Sequence, residues 1–222
     1  MEITKEMAPK EIIARRVAKF LKDGDFVNLG IGLPTEVAKY IPSKIEVLFQ
    51  SENGMVGLTG VDPNHIDPDL TNAGGQPCGA ISGASFFDSA TSFALIRGGH
   101  VDYTVLGALE VDDHGNLANW IVPGKMVPGM GGAMDLVVGA KTVIVAMQHT
   151  QKGAHKILKE CTLPYTALHV VDYIVTEECV LKQTRSGLVL MEINPNYTVQ
   201  QVQADTGATL IVPKNGPMTM KL

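Results

Sequence analysis

The residues of this chain with the most chemical potential stand in Gln50-Ser51-Glu52-Asn53-Gly54. A carboxylate placed directly after an apolar run (residues 45–49) and before Asn-Gly is held at a rigid strand end by a tight turn. A glutamate, with a reference pKa of about 4.3, is ionised at neutral pH and can attack without a general base. The same letters also make an ordinary turn with Glu52 solvated, since Asn-Gly is a common turn signal. A second segment, Asn28-Leu29-Gly30-Ile31-Gly32-Leu33-Pro34, sets Gly-x-Gly between an apolar run and a helical pattern. The dinucleotide fingerprint requires a third glycine where Thr35 stands, so that match fails. What remains is either a tight turn needing glycine or backbone N–H groups at a helix start, able to receive an anion or a developing oxyanion. The third segment, Gly129-Met130-Gly131-Gly132-Ala133-Met134-Asp135, resembles a phosphate cradle, but Gly139-Ala140-Lys141-Thr142 lacks the Gly-Lys-Ser/Thr order. A Walker-type nucleotide site is therefore excluded, and the glycines would let a substrate approach the backbone closely.

Other chemistries find no support. The six His show neither His-Glu-x-x-His nor His-x-x-His spacing, so a metal site would need convergence in the fold. Cys78, Cys161 and Cys179 lie far apart with no Cys-x-x-Cys pair, which excludes zinc-finger and thioredoxin-like readings. No Gly-x-Ser-x-Gly elbow is present for serine-based hydrolysis.

The elements that must carry these segments alternate along the chain. Pro9 suits the first turn of a helix whose apolar face is Ile12, Ile13, Val17, Phe20 and Leu21, with Gly24 as its expected cap. Residues 26–29 and 45–49 read as buried strands, with a short helix over 35–40 capped by Thr35 and closed by Pro42. Asp88 caps a second helix to about Arg97, ended by Gly98-Gly99. Residues 101–106 and 142–147 read as strands, the first followed by Leu109-Glu110-Val111 and a turn over 112–116, with a helix over 133–138 before the second. Residues 173–175, 188–191 and 210–212 complete the set. Continuous apolar strands alternating with helices predict an α/β fold, an open, mainly parallel sheet covered by helices on both faces. No repeat, low-complexity stretch or composition shift divides the chain, so residues 1–222 read as one domain. All three glycine- or carboxylate-bearing loops then fall beyond the carboxyl ends of strands, where open α/β sheets bind ligands.

Composition sets the outer bounds. With 45% hydrophobic and 18% charged residues the chain is ordinary for a globular protein, and its 23 Gly and 12 Pro suit many tight connections. The net charge of −5 comes without a Lys/Arg stripe, which argues against nucleic acid. Arg15, Arg16 and Lys19 sit on a helical pattern and read as a solvated face. No stretch reaches 18 apolar residues and no signal-peptide core is present, so no membrane span is expected. An odd number of cysteines without an export signal points to a reducing, cytoplasmic location.

Taken together and in order, residues 27–34, 50–54, 72–74, 93–100, 119–125, 129–135 and 156–164 resemble the beta subunit of class I CoA-transferases, the acetoacetate/butyrate–acetate (3-oxoacid) group. The likeness runs over nearly the whole chain and weakens after about Glu178. It implies a Rossmann-like CoA-transferase fold, Glu52 as the catalytic glutamate, and Asn28 with the backbone N–H of Gly132 as the oxyanion site. It implies also that Gly30, Ile31, Gly32 and Gly131 lie along coenzyme A, with Lys152 and Lys156 near the same molecule. The expected partner is a CoA-transferase alpha subunit, two of each chain per enzyme. Coenzyme A is then a substrate, and no permanently bound cofactor is expected. Such an enzyme moves CoA between an acyl-CoA and a short-chain acid by a ping-pong route through a glutamyl–CoA thioester. The rivals are an acyl-CoA hydrolase on the same scaffold, a sugar-phosphate isomerase of related architecture, and a non-catalytic CoA- or nucleotide-binding module.

Overall fold

The structure is a computed structural model and describes residues 2–4, 6–127 and 129–222. Pro9 opens helix α1 (Pro9–Ala18), where a missing N–H breaks no helical bond, and Ile12, Ile13, Ala14, Val17 and Ala18 bury its inner face. The helix ends at Ala18 with Lys19 as its cap, short of Gly24. Gly24, at φ +82°, instead turns the chain into strand β1 (Phe26–Leu29), its N–H donating to Glu46 O. A 3-10 helix over Leu33–Tyr40 leads to β2 (Leu48–Ser51), β3 (Met55–Thr59) and β4 (Gly79–Phe86). Helix α2 (Ser89–Arg97) starts on Asp88, whose carboxylate accepts from the Thr91 N–H. It is followed by β5 (Tyr103–Leu106), β6 (Glu110–Asp112), β7 (Leu117–Ala118), α3 (Ala133–Gly139) and β8 (Thr142–Ala146). Then come β9 (Thr150–Gln151), β10 (Ala154–His155), β11 (Ile157–Leu158), β12 (Tyr173–Val175) and β13 (Cys179–Thr184). Strand β14 (Gly187–Ile193), helix α4 (Val199–Ala204) and β15 (Met218–Thr219) close the chain.

Ten strands form one sheet in the order β15-β14-β13-β12-β8-β5-β1-β2-β3-β4. The five in the middle, from β12 to β2, are parallel, as the continuous apolar runs require. Both flanks add antiparallel strands, β13 and β14 on one side and β3 and β4 on the other, and β15 ends the first flank parallel to β14. Along β8 the side chains alternate between two cores. Val143 and Val145 pack with Ile96 of α2 and Leu136 and Val137 of α3, whereas Ile144 and Ala146 pack with Ile13 and Val17 of α1. Each valine, isoleucine or leucine among them, when fully buried, stabilises the fold by roughly 1.5–3 kcal/mol. The sheet is thus covered on both faces, and helix α2 faces the side opposite α1.

Three local expectations need correction. The second strand begins at Leu48 rather than residue 45, because Glu46 is tied by its N–H to Asp23 and by its carbonyl to Gly24, which holds that stretch as a loop. Thr35 lies inside the 3-10 helix, and its hydroxyl donates back to Gly32 O instead of capping. Residues 210–212 contribute a single bridge, Val189 to Ile211, and not a strand.

Candidate functional site

Strands β1 and β2 run in parallel with Asn28 opposite Gln50, so these two side chains leave the sheet on one face. Val27 packs against the α1 side, which sends Asn28 toward α2. There the Asn28 Nδ2 donates to Gln50 Oε1 at 2.8 Å and to Glu52 Oε2 at 3.1 Å. Gln50 Nε2 donates in turn to Ser92 Oγ of α2 at 2.8 Å. Asn28, Gln50 and Ser92 are buried, while Glu52 is half-buried at the edge of a cleft. A polar chain therefore runs from the interior of the fold out to one carboxylate.

Glu52 sits in the turn joining β2 to β3, closed by Gly54 N–H donating to Ser51 O at 3.0 Å. Gly54 has φ +126°, and a Cβ there would stand 2.0 Å from Phe87 O, so only glycine fits. The Ser51 hydroxyl accepts from Ala73 N–H, and Asn53 Nδ2 donates to Thr71 O. With both neighbours tied to the 71–73 segment, Glu52 is held toward Asn28. From a third direction comes the start of α3. A Cβ added to Gly132 would lie 3.4 Å from Glu52 Cγ and 3.3 Å from Phe93 Cζ, so the space between this glycine and the carboxylate side chain holds little more than a methyl group. Glu52, Asn28 and Gly132 thus come together from segments widely separated in sequence.

Beyond Glu52 opens a cleft of about 400 Å³, lined among others by Ile31, Thr35, Leu58, Ala73 and Cys78. It lies at the carboxyl ends of β1 and β2, where an α/β sheet is expected to bind ligand. Ile31 is two-thirds exposed and lines this cleft. Gly30 is glycine for another reason: its N–H donates to Val105 O, and a Cβ would meet Leu106 Cδ2 at 2.9 Å. That N–H is spent inside the sheet and is not offered to an anion. Gly32 (φ +87°) and Gly131 (φ +52°) hold left-handed turns with open space where a Cβ would be. Lys152 and Lys156 do not join this group. They lie beside the β9–β10 hairpin after β8, two strands from β1, and neither lines the cleft. Lys152 is exposed at φ +51°. Burial pulls the Lys156 ammonium below the usual lysine range, and the Glu177 charge only partly offsets it.

The remaining reactive side chains have other duties. His149 is fully buried, with its ring nitrogens bonded to Thr176 and Thr206, and burial lowers it to about 4, so it is neutral. Among the described residues no three His, Cys, Asp or Glu side chains gather as a metal site, and the three cysteines are free. Gln50 and Ser92 were not read from sequence as site residues, since they meet across 42 positions. A signal existed for Ser92: it stands four residues before the buried Ile96, a polar residue on an inward helix face.

Chemically, this is a carboxylate with one oxygen held by an amide N–H and a glycine beside its Cγ, about a methyl group away. If a glutamyl carbonyl formed here were attacked, the oxygen taking the negative charge would already face the Asn28 donor.

Known proteins resemble this chain at two levels. The pattern that defines the coenzyme A transferase family matches residues 10–205. The beta chain of the Haemophilus influenzae acetate CoA-transferase is 59% identical over 207 residues, which cover 93% of each chain. One chain of the succinyl-CoA:3-ketoacid coenzyme A transferase of Helicobacter pylori is 48% identical over 202 residues, covering 90% of this chain and 97% of that one. In three dimensions an acyl-CoA transferase apoenzyme from Escherichia coli O157:H7 superposes with a TM-score of 0.77 at 20% identity, over 99% of this chain. This chain spans 44% of that longer protein. At so low an identity the superposition speaks for the fold.

Proposed function

The chain belongs to the coenzyme A transferase family as a beta subunit, and on that premise we propose that Glu52 is its nucleophile, carrying CoA as a glutamyl thioester between an acyl-CoA and a short-chain acid. The observation that carries this reading is the Asn28 Nδ2 contact to Glu52 Oε2 at 3.1 Å, with Gly132 beside the same side chain. The held oxygen is the one that becomes the glutamyl carbonyl, and the other oxygen is the attacking atom. Glu52 attacks the acyl carbonyl and expels CoA thiolate, leaving a mixed anhydride. The thiolate then attacks the glutamyl carbonyl and expels the first acid, which leaves the Glu52–CoA thioester. An incoming carboxylate attacks that thioester, and the released thiolate takes the new acyl group and frees Glu52. Each attack on the glutamyl carbon builds an oxyanion, for which Asn28 Nδ2 and the Gly132 N–H are the proposed donors.

Acetate, butyrate and acetoacetate fit the proposed acid class, because each offers the reacting carboxylate and little bulk for a cleft of this size. CoA is proposed to run past Ile31, Gly32 and Gly131. An alpha subunit, two copies with two of this chain, would close the cleft and keep water from the anhydride. The three free cysteines suit a cytoplasmic enzyme. Intact-mass measurement of the assembled enzyme after incubation with acyl-CoA alone tests the reading. A CoA-sized gain absent from Glu52→Gln is expected. No gain, or an equal gain in the variant, would favour a non-catalytic CoA-binding role. Thioester loss that continues without an acceptor acid would mark a hydrolase.

A further inference from the structure

We infer that Gln50, braced by Ser92, is a positioning residue for the reaction: it decides which end of the Asn28 amide faces Glu52. This rests on the proposed role of Asn28 as an oxyanion donor. An amide has a donor end and an acceptor end of nearly equal size, so a buried asparagine can sit either way round, and only one way places N–H on the reacting oxygen. Asn28 is fully buried, yet its Oδ1 has no hydrogen-bond partner among the described residues. Nothing at that end selects the orientation. The selection is made at Nδ2, where Gln50 Oε1 at 2.8 Å and Glu52 Oε2 at 3.1 Å accept, with the Gln50 backbone O a longer contact at 3.4 Å.

Glu52 cannot hold the amide throughout the cycle. Its carboxylate oxygen becomes an anhydride carbonyl and then a thioester carbonyl, both weaker acceptors than the ion. The grip therefore loosens in those intermediates whose attack needs the donor. Gln50 undergoes no such change. Its Nε2 donates to Ser92 Oγ on the inward face of α2, and its Oε1 faces β1. The in-register pairing of Asn28 with Gln50 keeps the two amides side by side. The geometry makes a relay from helix α2 to the nucleophile, in which Gln50 Nε2 donates to Ser92 and Asn28 Nδ2 donates to Gln50 and Glu52.

The test uses the enzyme assembled with its alpha partner and follows thioester appearance on Glu52 by quenched-flow mass measurement. Gln50→Met keeps length and apolar volume but removes both side-chain hydrogen bonds, leaving only the long backbone contact to Asn28. The rate should fall about tenfold, the worth of one buried hydrogen bond, with the half-saturating acyl-CoA concentration unchanged within about twofold. Asn28→Ala alone should cost about 10²–10³ in rate. In that background Gln50→Met should change the rate less than about twofold, because residues acting as a unit are not additive. A packing defect would instead multiply with the Asn28 loss. Ser92→Ala, which removes only the brace, should cost about threefold, again vanishing without Asn28, and it carries the test if Gln50→Met does not assemble. If Asn28→Ala is fully active, the oxyanion reading itself falls and this inference with it. If Asn28→Ala is slow while the Gln50 or Ser92 variant keeps full rate, or the losses multiply, the positioning role alone is overturned.

Discussion

Gly132→Ala separates the placement of the nucleophile from the stability of the fold. The backbone there has φ −85° and ψ 6°, which alanine adopts without strain, and the N–H is retained. The added Cβ would meet Phe93 Cζ at 3.3 Å and Glu52 Cγ at 3.4 Å. Carbon pairs prefer about 3.5–4.0 Å, so both side chains must give by a few tenths of an ångström. Replacing glycine stabilises by about 0.4–1 kcal/mol through the unfolded chain, which roughly offsets that contact. Net stability should therefore stay within about 1 kcal/mol of wild type. Misplacing a reacting group by about 1 Å can cost about 10² in rate, so this smaller shift should cost about three- to tenfold. Thermal melting gives the first quantity, and single-turnover thioester formation in the assembled enzyme gives the second. A variant with both melt and rate unchanged would mean that Glu52 does not react from the position seen. A loss beyond about 2 kcal/mol in stability would show that the site cannot absorb the methyl group and that the rate effect has another origin.

Two further expectations concern buried groups away from the nucleophile. Glu178 is buried with Oε2 unpaired among the described residues, and burial, followed by Asp205 and Glu177, pushes its carboxyl up from 4.5 to about 8. An acid raised in the folded state keeps its proton while the unfolded chain releases one, so its contribution to stability declines as pH rises from about 4.5 to about 8 and then levels. Glu178→Gln should match wild type near pH 5 and exceed it by about 1–3 kcal/mol near pH 8 in denaturant titrations; a difference constant with pH would contradict this. Thr104 on β5 pairs with Asn28, and its buried hydroxyl also lacks a partner among the described residues. Thr104→Val, which removes that hydroxyl at equal shape, should stabilise by about 1 kcal/mol in the same assay, and a comparable loss would mean that the hydroxyl is bonded.

Much of this site was legible before any coordinates. The Glu52 turn, the Asn28 strand and the Gly132 loop each carry a local signal, and the predicted parallel sheet puts two of them on neighbouring strands. Their order along the chain, more than any one motif, made the resemblance specific. Strands β3 and β4 were missed because β4 reads Gly-Ala-Ile-Ser-Gly-Ala-Ser-Phe, largely exposed, with no apolar run to betray it. Helix α4 was missed although Thr198 and Gln201 form a capping box visible as Thr-x-x-Gln. The Gln50–Ser92 contact depends on how α2 lies on the sheet, which no local pattern encodes. Lys152 and Lys156 were assigned by resemblance, and neither lines the Glu52 cleft; Lys156 instead feels the charge of Glu177.

The most direct test of Glu52 as covalent carrier is chemical trapping. The assembled enzyme, incubated with acyl-CoA, would be reduced with borohydride, which converts a thioester to an alcohol and leaves a free carboxylate untouched, and then mapped by peptide mass. The account expects residue 52 to lose one oxygen and gain two hydrogens, only when acyl-CoA was present. An unmodified Glu52 with the reduced residue elsewhere, or no reduced residue in an enzyme that still turns over, would contradict it.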